Sequence, residues 1–416
     1  MGPIKALGVY QGINKQEREY WQTNIVKMKQ KLNHWKMRNL TLMGKTYLLK
    51  SVGLSTLLYA VDLQSVPEYV KNEINGIIWN FIWNDKNDKV KRDICMRTIA
   101  EGGIAAPNLD GIIDVCRLKM LSKILEEGNE NWKMLPRFFL GMGTGRCVLQ
   151  CKVDNRKMPM FYKECTEAWY KVRCEKKPKL KTVIDLLIPQ GNDNVTPQKL
   201  ELKCGDVWRD IAGMTKAEVK TAIRGENKRS NNEIKWTQQY PNIDWAQVYA
   251  TLSQKTIERK VREFQWKIIN FAVYTEQRLK HIAFTDGKCC LCASEDETLT
   301  HMLVDCDTVS EFWTAVIILI RKNVPCFMYR EEYILVGCTN VNSPMSKDET
   351  EIANFIIQNA KWTTWKRRCV MRYEGIFIPQ MEMWNMFFVY TKRLLNMEKY
   401  IMSTKCKQLF KKAQIE

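Results

Sequence analysis

KCCLCASEDETLTHMLVDC, running from Lys288 to Cys306, decides how this chain is read. Two residues separate Cys289 from Cys292, eight more lead to His301, and four more to Cys306. Three thiolates and an imidazole at that spacing can close a tetrahedral shell around zinc. The first pair fits a tight turn that aims both sulfurs at one ion. His301 and Cys306 are expected on the same side of a short helix. Cys290 either replaces a neighbour as ligand or stays a buried thiol. Glu295, Asp296 and Glu297 fall between the ligand pairs, where a solvated loop is expected. Histidine is the discriminating residue, because the whole chain holds three. Nothing in the spacing suggests an open coordination position beside a general base, so the zinc is expected to be structural.

The bulk composition sets the context. The 416 residues carry a net charge of +19 from 65 Lys+Arg against 46 Asp+Glu, which favours a polyanionic partner, nucleic acid before membrane. The longest apolar run, Trp313–Ile320, suits a buried element and falls short of a spanning helix. MGPIKALGVY lacks a signal-peptide core, and 15 scattered cysteines show no disulfide rhythm. An intracellular protein, nuclear or cytoplasmic and without a membrane partner, is expected.

Moving outward, helical patterning dominates. Trp21, Ile25, Met28, Leu32 and Trp35 recur at alternating steps of four and three and lay one stripe down a helix. Residues 39–60 give a second helix with Lys45 and Lys50. Ser65-Val-Pro-Glu68 reads as a capping box opening a third, with Ile74, Ile77, Ile78 and Phe81 on one side. Glu101-Gly-Gly-Ile-Ala-Ala-Pro107 is a turn before a helix around 111–125. Pro159, Pro178, Pro189 and Pro197 punctuate a weaker middle third, and 225–232 reads as a linker. Residues 348–368 and 381–401 read as closing helices. The expected fold is mainly α, divided as 1–125, an irregular helical connector 126–254, a small CCHC zinc module 255–325, and C-terminal helices 326–416.

Catalytic signatures are sparse. A polymerase needs paired carboxylates to hold two metal ions, and no Asp-Asp pair occurs. Gly141–Arg146 lacks the Gly-Lys-Ser/Thr ending of a phosphate loop. Basic and aromatic residues interleave at Lys361-Trp-Thr-Thr-Trp365-Lys-Arg367-Arg368, where indoles can stack on bases and cations meet phosphates. The competing reading puts both indoles in the core and leaves the cations on a solvated face.

Leu32-Asn-His-Trp35, Leu40-Thr-Leu-Met-Gly44-Lys45, Leu48–Val52, Phe81-Ile-Trp83 and Gly102–Pro107 together resemble the C-terminal half of a non-LTR (LINE-type) retrotransposon reverse transcriptase. Leu7-Gly8-Val9 and Leu57-Leu58-Tyr59 belong to the same pattern. The cysteine cluster resembles that family's zinc-binding segment, led in by Phe264-Gln-Trp266-Lys267, Thr275 and Leu279 and followed by Trp313. Lys45 stands where the family often has Arg. The resemblance is thin between 120 and 260. It implies a thumb-like helical bundle at 1–125 that grips a template–primer duplex, and a zinc-bearing tail that helps hold RNA or DNA. The catalytic aspartates would lie upstream of Met1, so no polymerase or endonuclease activity is expected, and the upstream polymerase part is an expected partner. Arg38, Lys45 and Lys50, with Lys361, Trp365, Arg367 and Arg368, are the expected nucleic-acid contacts. The rival expectation is a non-binding scaffold that docks helices on that polymerase part.

Overall fold

The computed structural model describes residues 4–6, 9–11, 14–126, 128, 130–142, 158–176, 200–204, 206–224, 229–282, 285–339 and 344–396. Leu7-Gly8, residues 143–146 of the glycine turn, Pro178, Pro189, Pro197, linker residues 225–228 and the tail beyond 396 lie outside them. The fold is mainly helical. In chain order it runs β1 (Ile4–Ala6), β2 (Val9–Gln11), α1 (Asn14–Lys36), α2 (Leu42–Leu48), α3 (Leu58–Leu63), α4 (Glu68–Trp83), α5 (Arg92–Met96), α6 (Leu109–Leu125), α7 (Asn131–Arg137) and α8 (Met160–Lys176). β3 (Glu201–Cys204), β4 (Val207–Asp210), α9 (Lys216–Ile223), α10 (Asn231–Gln239), α11 (Trp245–Ser253), α12 (Arg259–Ile269) and α13 (Glu276–Leu279) follow. α14 (Asp307–Asn323), α15 (Glu331–Leu335), α16 (Lys347–Glu374) and α17 (Gln380–Asn396) complete it. The strands form two antiparallel hairpins, β1 with β2 and β3 with β4.

The chain divides into two compact units, each discontinuous in sequence. One comprises Met1–Asn39, Lys45–Lys86 and Pro107–Asn227. Its first helix buries Trp21, Ile25, Met28 and Leu32, so the alternating stripe is the core face of α1. α4 forms as expected, but the capping box does not: Pro67 is its N-cap and makes no side-chain cap hydrogen bond. The Val66 N–H instead donates to Glu164 Oε1 at 2.9 Å. That carboxylate also accepts from Arg117 Nε at 2.7 Å, and the fully buried guanidinium gives its other donors to the Val61 and Gln64 carbonyls. An interior charge is tolerated because its hydrogen bonds are met.

The other unit comprises Leu40–Gly44, Asn87–Ala106 and Lys228–Glu416. α12 buries Val261, Phe264, Trp266, Ile268 and Ile269. The Trp266 indole N–H donates to the Gly102 carbonyl at 2.8 Å. Gly102 sits at φ 79°, and a Cβ there would lie 2.5 Å from the Tyr249 ring. At Gly103 a Cβ would lie 2.1 Å from the Arg97 carbonyl oxygen. The glycine pair therefore permits a close approach as well as a turn. α16 is capped by Ser346 with Glu349 in a capping box and packs against α12, α14 and α17. Burial on nearly every face makes it the axis of this unit.

Candidate metal centre

Residues 287–306 fold back on themselves. Lys288 and Asp296 form an antiparallel bridge, the Cys289 N–H donates to the Glu295 carbonyl at 2.8 Å, and the Glu297 N–H donates to the Gly287 carbonyl at 2.9 Å. Ala293 turns the chain at φ 59°, with its N–H on the Cys289 carbonyl. That loop presents Cys289 and Cys292. The second pair comes from a single π turn, His301–Asp305, which delivers the chain to α14 with Cys306 as its N-cap. On an α-helix, positions five apart point about 140° away from each other. The Cys306 N–H bonds the His301 carbonyl at 3.0 Å, and this wider turn brings both side chains to one place.

One ligand atom each from Cys289, Cys292, His301 and Cys306 lies within 4.8 Å of the others. Cys289 Sγ is 3.9 Å from Cys306 Sγ, and Cys292 Sγ is 3.4 Å from His301 Nε2. Tetrahedral zinc with Zn–S near 2.3 Å and Zn–N near 2.05 Å sets S···S at about 3.8 Å and S···N at about 3.6 Å. The four groups therefore fit that ion in donor type and in spacing. Further donors surround the sulfurs: Leu291 N–H to Cys289, the Ser294 hydroxyl to Cys292, and Thr308 Oγ1 3.1 Å from Cys306.

The electrostatics agree. The hydrogen bond from the Cys289 thiol holds Cys306 down to about 5, while the same bond pushes Cys289 up. Burial opposes ionisation of Cys292, yet hydrogen bonds from the Glu295 backbone and from Ser294 bring it below the usual thiol range. At His301 burial pulls down, and the hydrogen bond to Cys292 with the neighbouring sulfur charges outweighs it. Cys290 behaves differently. Its Sγ points to the Arg368 carbonyl, 3.9 Å away, and burial raises its thiol to about 11. It stands outside the four-ligand cluster as a neutral thiol.

Glu297 corrects the expectation of a solvated acidic loop. It is fully buried, with Oε1 2.8 Å from Arg368 Nε and Oε2 accepting from the Glu276 N–H. Arg368 Nη2 also reaches Glu276 at 2.7 Å, and Arg372 reaches Glu276 from the next turn of α16. Two arginines thus balance two carboxylates directly behind the metal loop. Periodicity could not reveal this quartet. A signal was nonetheless present, because Ile352–Ala360 carries no charged residue on any face and a cation continuing such a helix must find an internal partner.

The expected nucleic-acid residues divide accordingly. Lys361, Arg367 and Arg368 are corrected from surface contacts to internal braces, since all three are fully buried. Lys361 donates to Gln265 Oε1, and Arg367 donates to the carbonyls of Ile378 and Thr308, each at 2.6 Å. Trp365 is half-buried, its ring 5.3 Å from that of Phe264 and beneath the Arg368 guanidinium. Lys45 is corrected too: it is buried and donates to the Ile82 carbonyl at 2.9 Å and to Asn84. Arg38 and Lys50 are exposed. Arg38 lies over the Trp35 ring, and Lys50 is lowered by desolvation and by Lys220.

Residues 232–313 match the family described as zinc-binding in reverse transcriptase. The matched segment contains all four clustered ligands and closes on Trp313, whose indole N–H donates to the Leu303 carbonyl at 2.6 Å. This part of the chain is similar to the zinc-binding region associated with reverse transcriptases. No curated protein matches the chain. Among the described residues, no helix is long and apolar enough to cross a membrane.

Proposed function

We propose that the chain is a nucleic-acid-binding part of a LINE-type retrotransposon reverse transcriptase, holding a structural zinc and lacking polymerase and endonuclease centres of its own. The observation that carries this reading is the Cys3His cluster inside a segment similar to reverse-transcriptase zinc-binding regions. The net charge of +19 supports RNA or DNA as the partner. In this reading zinc, when bound, fixes the loop and the start of α14 as a rigid body. Cys289, Cys292, His301 and Cys306 hold the ion, Glu297 and Arg368 seat the loop on α16, and Arg367 holds the start of α14 through the Thr308 carbonyl. Arg38 and Lys50 are exposed cations suited to backbone phosphates. The protein acts inside the cell, beside the upstream polymerase part of the element.

Binding by phosphate neutralisation has a defined signature. Log affinity of the full chain for a labelled single-stranded RNA or DNA should fall linearly with log salt between 50 and 200 mM, steeply if several phosphates are contacted. No binding at the lower salt, or a flat plot, overturns the reading.

The docking-scaffold reading has one observation in its favour. Tyr47, Leu58, Tyr59 and Leu63 are exposed apolar side chains on α2 and α3. Tight capture of the polymerase part without any nucleic-acid affinity would select it.

A further inference from the structure

Behind α10 lies a cleft of about 430 Å³ whose rim carries five cations against a single carboxylate, Asp93. We infer that this cleft, between the Lys89–Arg97 segment and residues 229–232 and 270–278, seats a single-stranded stretch of nucleic acid, with phosphates on the rim and one base against Phe271. The inference rests on the nucleic-acid reading above and gives it a location within one compact unit.

Three features of the cleft support it. First, the rim charge is not internally cancelled. Among the described residues no carboxylate pairs with Lys91, Arg229 or Arg278. Arg278 instead rests on the Tyr274 ring at 5.4 Å, which holds the cation without neutralising it, and Lys89 lies 4.4 Å from the same ring. Arg97 differs, since Glu233 stands 3.6 Å away, and it serves as wall rather than contact.

Second, Phe271 is held in an unusual backbone state. Its φ of 49° is uncommon for a bulky side chain, and strain of this kind persists where the surroundings over-determine it. The left-handed turn directs the half-buried ring into the cleft wall, stacked on Trp236 at 4.7 Å and 12°. Lys235 lies 5.8 Å from the same ring. An aromatic platform beside unpaired cations is how single strands are gripped without regard to sequence.

Third, the size selects the ligand. The volume lies in the range of ligand clefts, roughly 300–1,000 Å³, and takes an unstacked nucleotide rather than a paired stack. Asn232 and Asn270 line the same wall and can meet base edges, although their amides already bond each other at 3.3 Å.

The test uses the full chain with zinc bound and a fluorescein-labelled twelve-residue oligothymidine. Arg229→Gln with Arg278→Gln should weaken binding at least tenfold and reduce the log–log salt slope by about 1.4. Phe271→Asn, a residue that tolerates positive φ, should weaken the single strand about tenfold and leave duplex binding unchanged. Lys91→Gln, at an exposed site, serves if either variant loses its zinc or its helical circular dichroism. Photocrosslinking of a 5-bromouridine-bearing strand to the wild-type chain should mark a peptide containing Phe271. If the wild type binds and crosslinks elsewhere, and the folded variants bind as it does, the cleft is not the site and the broader reading stands. If the wild type binds no nucleic acid, the broader reading fails and this one with it.

Discussion

Arg368 and Glu297 meet 2.8 Å apart with neither side chain exposed to solvent, 71 residues apart in the chain. The pair clamps the loop between the two halves of the metal cluster to the C-terminal half of α16. Glu297 stands five residues after Cys292 and four before His301, so its position fixes both sides of the shell. Removing Glu297 takes the Arg368 guanidinium from two carboxylates to one, Glu276, and leaves its buried Nε–H without an acceptor, a loss of about 1–3 kcal/mol. Glu297→Gln should therefore lower the urea midpoint substantially and weaken zinc retention against a chelator. Replacing Glu297 and Arg368 together by Met should recover most of the stability. An unchanged midpoint in Glu297→Gln would show that the pair does not clamp the loop.

Metal analysis separates the two cysteines of the Cys-Cys-Leu-Cys run. Cys290→Ser should keep about one zinc per chain, because its sulfur faces the Arg368 carbonyl. Cys292→Ser and His301→Ala should each lose it. Equal zinc in all of these proteins would remove the four-ligand assignment.

Lys361 makes stability depend on pH. It is fully buried, and desolvation holds its ammonium far below the usual lysine range. Between that depressed folded value and about 10.4, the unfolded chain binds a proton that the folded chain does not. Stability therefore rises with pH through this window and falls as pH drops toward the folded value. Lys361→Met removes the contribution. Urea midpoints of the wild type minus those of the variant should increase from pH 7 to pH 9. A pH-independent difference would mean that Lys361 keeps its charge inside the fold.

Two glycines should respond with opposite signs. Gly103→Ala places a methyl 2.1 Å from the Arg97 carbonyl oxygen and should lower the melting temperature by many degrees. Gly76, inside α4, has nothing within 4 Å of an added Cβ, and Gly76→Ala should stabilise by about 0.5–1 kcal/mol. Thermal melts of both variants check the pair of outcomes.

Local patterns in the sequence proved readable where the physics is local. The Trp21–Leu32 stripe is the buried face of α1, and the spacing of Cys289, Cys292, His301 and Cys306 is the cluster itself. The π turn was not readable, because no residue type in His301–Asp305 marks it; its geometry follows from the need to bring His301 and Cys306 together. The buried ion pairs were not readable either. Arg117 with Glu164 and Arg368 with Glu297 are separated by 47 and 71 residues, and periodicity carries no information across such distances. The basic run at 361–368 misled for a related reason. Its cations looked solvent-facing by type, but they lie on the helix that the rest of this unit surrounds.

The bond from the Trp266 indole to the Gly102 carbonyl spans 164 residues, and this has a consequence at the ribosome. At about 5–20 residues per second, Trp266 is made roughly 8–33 s after Gly102. Ile94, Cys95 and Ile104, all buried in the finished protein, emerge before α11 and α12 exist, and those helices contribute the contacts to the adjoining Ile99–Gly102 turn. The nascent chain therefore carries an uncovered apolar segment for that interval, and a chaperone able to hold it would raise the yield of folded protein.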